Sequence, residues 1–194
     1  RDHLAARGQA WGALAKDDKA AQNFLDEAAA VDPKSPTTSL NMAVLAIDRG
    51  DCDGAQRHLA KLEGNRRGYA MGYERLLARS LLCSKKPDKT KAAEHYASAE
   101  TEAKMYLANP AVAEIYTEWA PLLFETDLDG AVEKLNVAVQ FSAQVPEVAT
   151  AAKRNLAIGL FKRGWRSIKG GKASEAVADF ERATREPALL KGNE

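Results

Sequence analysis

Apolar residues recur along the chain every three or four positions, which places their side chains on one face of an α-helix. Runs of alternating apolar and polar residues bounded by turns are nearly absent, so β-strands are not expected. The apolar segments form pairs, and each second segment opens with a small residue followed by larger apolar ones. These small residues, called anchor alanines below, are Ala20, Ala55, Ala92, Ala131 and Ala176. Because they lie 35, 37, 39 and 45 residues apart, the sequence predicts five helical hairpins.

Turn-forming residues separate the two segments of each pair, and prolines separate one pair from the next. Pro cannot continue a helix interior but suits its first turn, so Pro36, Pro110 and Pro146 are predicted to end one helix and permit another. The chain is therefore expected to be one repeat array over residues 1–187, with a tail or the start of a further segment at 188–194. The predicted hairpins cover approximately residues 1–34, 35–65, 66–109, 110–146 and 147–187.

The fifth hairpin shows the pattern in its fullest form, with Leu160, Gly164, Ala176, Phe180 and Pro187 in order. It resembles the tetratricopeptide-repeat (TPR) family, whose repeats are about 34 residues long. The resemblance implies an all-α solenoid of about five TPR-like hairpins, in which stacking of neighbours creates the core. The third hairpin departs most because its segments are longer, and a related helical repeat with a looser consensus is the alternative there.

Proteins of this family hold a peptide or a partner domain in a concave groove lined by the first helix of each hairpin. The resemblance therefore implies a protein–protein interaction scaffold, not an enzyme. The groove residues that it implies are Leu40, Val44, Ile47, Leu77, Leu81, Tyr116, Phe124, Phe161 and Trp165. This surface is apolar and aromatic and suits an apolar helix or an extended peptide. Tyr116, Phe161 and Trp165 are expected to be accessible; the alternative is that they pack in the core.

The groove has two other candidate functions. A variant of the family binds a C-terminal carboxylate with Lys, Arg and Asn side chains. Asn41 fits that role, but Glu74 and Ala78 occupy places where cations are needed, so a carboxylate clamp is not expected.

Because the chain begins with Arg1 and not Met, we expect a fragment or a processed form. The groove could then be filled by the protein's own missing C-terminal segment or by another copy, which is a structural, self-associating role.

The charge balance narrows the class of partner to another protein or peptide. The chain has 28 Lys and Arg against 27 Asp and Glu, which argues against binding of nucleic acid or an anionic membrane by bulk electrostatics. No apolar stretch reaches the roughly 18–20 residues needed to span a bilayer. No nucleophile motif, phosphate loop or paired carboxylates are found, so no cofactor and no small-molecule substrate are expected.

The two cysteines bear on the compartment. Cys52 lies in the turn of the second hairpin and Cys83 near the end of the first helix of the third, and stacking would bring them to one edge. A disulfide is geometrically plausible and would favour a bacterial periplasm or cell envelope; two buried thiols are the alternative and would fit the cytoplasm.

The spacing of His58 and His95 from these cysteines is not that of a zinc module, so we expect no metal and solvated histidines.

Overall fold

The computed structural model describes residues 18–64 and 68–185, and this part of the chain is all-helical, without a β-strand. Its nine helices are α1 (Asp18–Val31), α2 (Pro36–Asp48), α3 (Cys52–Ala60), α4 (Ala70–Cys83), α5 (Lys89–Met105), α6 (Asn109–Leu123), α7 (Leu128–Phe141), α8 (Pro146–Lys169) and α9 (Ala173–Arg185). The first helix predicted for hairpin one, around Leu4 to Leu14, and the tail at 188–194 lie outside the described residues. None of these nine helices is long and apolar enough to cross a membrane.

Short turns join α2 to α3, α4 to α5, α6 to α7, and α8 to α9. Besides these chain neighbours, α2 contacts α4 and α6 contacts α8, so the first helices of successive hairpins also pack together. Pro36, Pro110 and Pro146 occupy the first turn of α2, α6 and α8, as predicted. The chain divides into two compact units, residues 1–102 and 103–194.

Four of the five predicted anchor alanines are fully buried. Ala55, Ala92, Ala131 and Ala176 are all 0% exposed. In the first hairpin the prediction was wrong by one residue, because Ala21 is 0% exposed whereas Ala20 is only half-buried. Leu25 and Ala28 follow Ala21 at the spacing that the other second helices use. With Ala21 as the anchor, the first separation is 34 residues.

Three of the second helices begin with an aspartate cap, four residues before the anchor alanine. The carboxylates of Asp51 and Asp127 accept hydrogen bonds from the backbone N–H of Gly54 and Gly130, at 2.8 and 3.0 Å. Asp88 does the same for the N–H of Lys91, at 3.0 Å. Such a cap stabilises a helix by about 1 kcal/mol.

In the first unit, a disulfide joins two neighbouring hairpins. It connects Cys52 at the start of α3 to Cys83 at the end of α4, with Cα atoms 5.6 Å apart. The same two helices contribute to one apolar core. Its buried members are Ala43, Ala46, Ala55, Leu59, Leu62, Tyr73 and Leu76.

In the second unit, a proline inside α6 is accommodated by a side chain of α8. Pro121 has no N–H, so the carbonyl of Thr117 one turn earlier loses its usual helical partner. The side-chain amide of Asn155 donates to that carbonyl at 3.0 Å. Around this contact lies the core of the unit. Its buried members are Ala120, Leu128, Ala131, Val132, Leu135, Leu156, Ala157, Leu160 and Ala183.

Reducing the disulfide is expected to lower the free energy of unfolding by about 3–4 kcal/mol, because a bond across 31 residues restricts the unfolded chain. Urea unfolding followed by circular dichroism, with and without reductant, measures this difference. The Cys52→Ala/Cys83→Ala variant is the control and should not respond to reductant. Alkylation of both sulfurs in the protein as isolated, before any reduction, would contradict the pairing.

Asn155→Ala is expected to lower the free energy of unfolding by about 1–3 kcal/mol, because the Thr117 carbonyl is left without a donor. In a Pro121→Ala background the helix supplies its own N–H, so the same substitution should cost clearly less. Urea unfolding of the four proteins forms a double-mutant cycle. An equal cost in both backgrounds would show that the amide is not compensating for the proline.

Candidate functional site

The second unit has an open cleft of about 460 Å³ between the α6–α7 turn and the C-terminal half of α8. Phe124 and Leu128 form its wall, and Phe161 and Trp165 form its floor. A volume of this size lies within the range of about 300–1,000 Å³ typical of ligand sites. The cleft therefore has room for several side chains of a partner.

The two aromatic residues of the floor are exposed and supported from behind. Phe161 and Trp165 lie one turn apart on α8 and are 51% and 50% exposed. Both rings pack on Phe180 of α9, with centroids 5.5 and 6.0 Å away. Gly164 allows this approach, since a Cβ there would come within 2.7 Å of the Phe180 ring. The exposed rings are thus held in place before any partner arrives.

An ion pair fixes α9, and with it Phe180, against α8. The guanidinium of Arg163 donates two hydrogen bonds to the Asp179 carboxylate, at 2.8 and 2.6 Å. Asp179 is only 8% exposed. The hydrogen bonds that Arg163 donates to Asp179 raise the pKa of the guanidinium above its ordinary value, so Arg163 stays charged. The aromatic floor therefore rests on a rigid pair of helices.

Three cations border the cleft on the same side of α8. Lys162 pairs with Glu125 at 2.6 Å, and Arg166 donates two hydrogen bonds to Asp129 at 2.6 and 2.8 Å. Lys169 also lines the cleft, and within residues 18–64 and 68–185 no acidic group pairs with it. The rim consequently carries a cation that is available to an acidic group of a partner.

Of the groove residues predicted in the second unit, the structure brings Phe124, Phe161 and Trp165 together in this cleft. Tyr116 was expected to be accessible, and that expectation was wrong: it is 5% exposed. The ammonium group of Lys134 on α7 lies 4.5 Å from the centre of its ring and covers it. Lys134 covers the ring of Trp119 in the same way, at 4.1 Å.

The candidates in the first unit mainly serve packing. Leu40, Val44, Ile47 and Leu77 are partly buried and lie against the core of that unit. Leu81 is also half-buried. Asn41, the residue that fits a carboxylate clamp, is only 3% exposed. The accessible aromatic surface is therefore best developed in the second unit.

The two predicted solvated histidines are both partly buried, which corrects that expectation. Nδ1 of His95 lies 2.7 Å from a carboxylate oxygen of Glu74 and links α5 to α4. Nδ1 of His58 is buried and, among the described residues, has no hydrogen-bond partner. Burial lowers the pKa of His58, as do the nearby charges of Lys61 and Arg57.

Sequence reasoning missed several residues of the cleft. Phe180, which supports the cleft, was recognised only as part of the repeat pattern, and Arg166 and Lys169 were not singled out. Their spacing from Phe161 and Trp165 on one helix was the available signal.

No family model and no curated protein matches this chain.

Stability is expected to fall as the pH drops below about 6.5, the ordinary pKa of His58, because the folded protein resists protonating it. The unfolded chain binds that proton more readily, so the loss is complete once the pH is below the lowered, folded-state pKa. Asp51 and Asp26 act in the opposite direction but do not outweigh burial, Lys61 and Arg57. His58→Gln should flatten the change in unfolding free energy between pH 7 and pH 5. An unaltered pH profile in this variant would contradict the assignment to His58.

Proposed function

We propose that the chain is a protein–protein interaction scaffold that seats a partner peptide or helix in the cleft of the second unit. The observation that carries this proposal is the pair of half-exposed aromatic rings, Phe161 and Trp165, held on Phe180. Large aromatic side chains dominate binding energy at protein interfaces, most of all when they are rigid before binding. The role is that of a binding module and not of a catalyst.

The recurring hairpins support the finer fold assignment that this function uses. Anchor alanines at separations of 34, 37, 39 and 45 residues, counted from Ala21, fit a TPR-like helical repeat. Contacts between the first helices α6 and α8 fit the stacking of such repeats. We propose a solenoid of TPR-like hairpins as the architecture that presents the cleft.

The disulfide supports a place for this scaffold in an oxidising compartment. Disulfides persist in the periplasm and outside cells and are rare in the cytosol. Since Cys52 and Cys83 are bonded, we propose that the protein works in a cell-envelope assembly of bacterial type. A cytoplasmic adaptor is the alternative if both sulfurs are free thiols in the cell.

Selection of a displayed library of random peptides on the oxidised protein tests the proposed function. The enriched peptides should bind the wild type and lose about tenfold or more in affinity to Trp165→Ser and to Phe161→Ser, because each removes a central aromatic anchor. Fluorescence anisotropy of the labelled peptides measures the affinities, and circular dichroism checks that each variant is folded.

Val177→Ser provides the matched control for this experiment. Val177 is 54% exposed on α9 but does not line the cleft, so its loss should leave peptide affinity unchanged. Peptides whose affinity is indifferent to Trp165 and Phe161, or a selection that enriches none, would contradict the cleft as the binding site.

A further inference from the structure

Two parallel rows of side chains run along the exposed face of α8. Phe161, Trp165 and Ile168 form an apolar row, 51%, 50% and 44% exposed. A second row, Lys162, Arg166 and Lys169, lies one residue further along at each step and is cationic. Both rows have the spacing of a helix face and extend over about 11 Å, or two turns. Any occupant of this face meets an apolar stripe bordered by positive charge.

The other first helices show what normally covers the apolar row. Its members lie 15, 11 and 8 residues before the anchor alanine. The equivalent residues of α6 are Tyr116, Ala120 and Leu123, and the last two pack in the core to which α8 contributes. In the first unit the equivalent Leu40 of α2 lies beside Gly72 of α4. In both units, therefore, this row is a surface on which a further helix packs.

On α8 the same row is left open by the described residues, so the geometry favours a helix as its occupant over an extended strand. An apolar stripe with a period of 3.6 residues matches a second helix laid alongside it, with anchors at similar spacing. The wall formed by Phe124 and Leu128 limits the occupant to one side of α8. This wall makes the surface a trough and not a flat face.

Charge decides which kind of helix fits. Glu125 and Asp129 already hold Lys162 and Arg166, whereas Lys169 has no acidic partner among the described residues. An acidic side chain beside the apolar stripe of the partner would pair with Lys169 and share the two other cations. A basic partner would meet uncompensated like charge at Lys169, which disfavours it.

A lipid surface would also accept an aromatic and cationic helix face, but two features disfavour it. Glu125 and Asp129 already hold two of the three cations, so only Lys169 is uncompensated on this face. The chain as a whole has a net charge of only +1. Peripheral membrane binding relies on several uncompensated cations together with inserted apolar side chains.

We infer that the partner seated in this cleft is an amphipathic helix whose apolar stripe is flanked by acidic residues. The inference rests on the proposed function and adds the chemistry of the partner. It predicts that affinity depends on the sign of the flanking charge and, on this protein's side, on Lys169.

Three synthetic helical peptides of about 18 residues test this. They share one apolar stripe and differ only in the flanking residues, which are glutamate, glutamine or lysine; these have similar helix propensities. Fluorescence anisotropy with the oxidised full chain should show the glutamate peptide binding about tenfold more tightly than the glutamine peptide. The lysine peptide should bind most weakly. The difference should shrink as NaCl is raised from about 0.05 M to about 0.5 M.

Lys169→Gln should reduce the preference for glutamate over glutamine about threefold, since one of the flanking charge contacts is lost. Lys172→Gln is the matched control: it makes the same change in net charge three residues away, where Lys172 pairs with Glu175 and does not line the cleft. The control should keep the full preference. Trp165→Ser should weaken all three peptides.

The outcomes separate this inference from the proposed function. Equal affinity for the glutamate and glutamine peptides, with both lost in Trp165→Ser, overturns the acidic partner and leaves the binding scaffold intact. Peptide affinities that do not change in Trp165→Ser overturn both. Failure of the glutamate peptide to bind at all overturns the inference, and the library selection then decides the proposed function independently.

Three further results would assign the face to another occupant and overturn the inference. The first is Trp165-dependent sedimentation with vesicles of phosphatidylcholine and phosphatidylserine, which indicates a lipid surface. The second is self-association in analytical ultracentrifugation that Trp165→Ser abolishes, which indicates a second copy. The third is a large gain in affinity when the chain is ended at Arg185 without loss of stability, which indicates its own residues 186–194.

Discussion

Close approach of paired helices at small, buried residues is the constraint on which the rest of the structure depends. The second helices α1, α3, α5, α7 and α9 each present a fully buried alanine. Gly164 is the extreme case, because even a methyl group there would displace the Phe180 ring. Where helices approach this closely, larger residues on either side interdigitate and exclude water. Each unit thereby acquires a core from short helices that bury little on their own.

The cleft of the second unit follows from this packing. Gly164 brings α9 close to α8, the pair of Arg163 and Asp179 holds it there, and Phe180 then lies beneath Phe161 and Trp165. The ion pair is nearly buried, so its desolvation offsets much of its Coulomb energy, and its main effect is on geometry. Aromatic rings that remain half-exposed on such a support lose little freedom on binding.

The periodic apolar pattern was sufficient to predict the helices, the turns and most anchor alanines, because burial demands small residues at fixed intervals. It misplaced the first anchor by one residue, since Ala20 and Ala21 are chemically identical and only the position of Leu25 distinguishes them. The exposure of Tyr116 could not be predicted either. The ammonium group of Lys134 reaches over its ring from another helix, and such a cation–π contact leaves no periodic trace. The flanking row of cations on α8 was visible in the sequence at helical spacing but was not recognised as a row.

Recurring hairpins of similar sequence carry a hazard of misassembly, because one first helix resembles another and could pack beside the wrong neighbour. The carbonyl of Thr117, which Pro121 leaves without a helical N–H donor, discriminates between neighbours. Asn155 of α8 supplies a donor at that point, whereas the residue at the same distance from the anchor alanine is Met71 in α4 and Pro110 in α6 itself. A wrong neighbour would therefore bury an orphaned acceptor. Pro121 therefore favours α8 over the other first helices as the neighbour of α6.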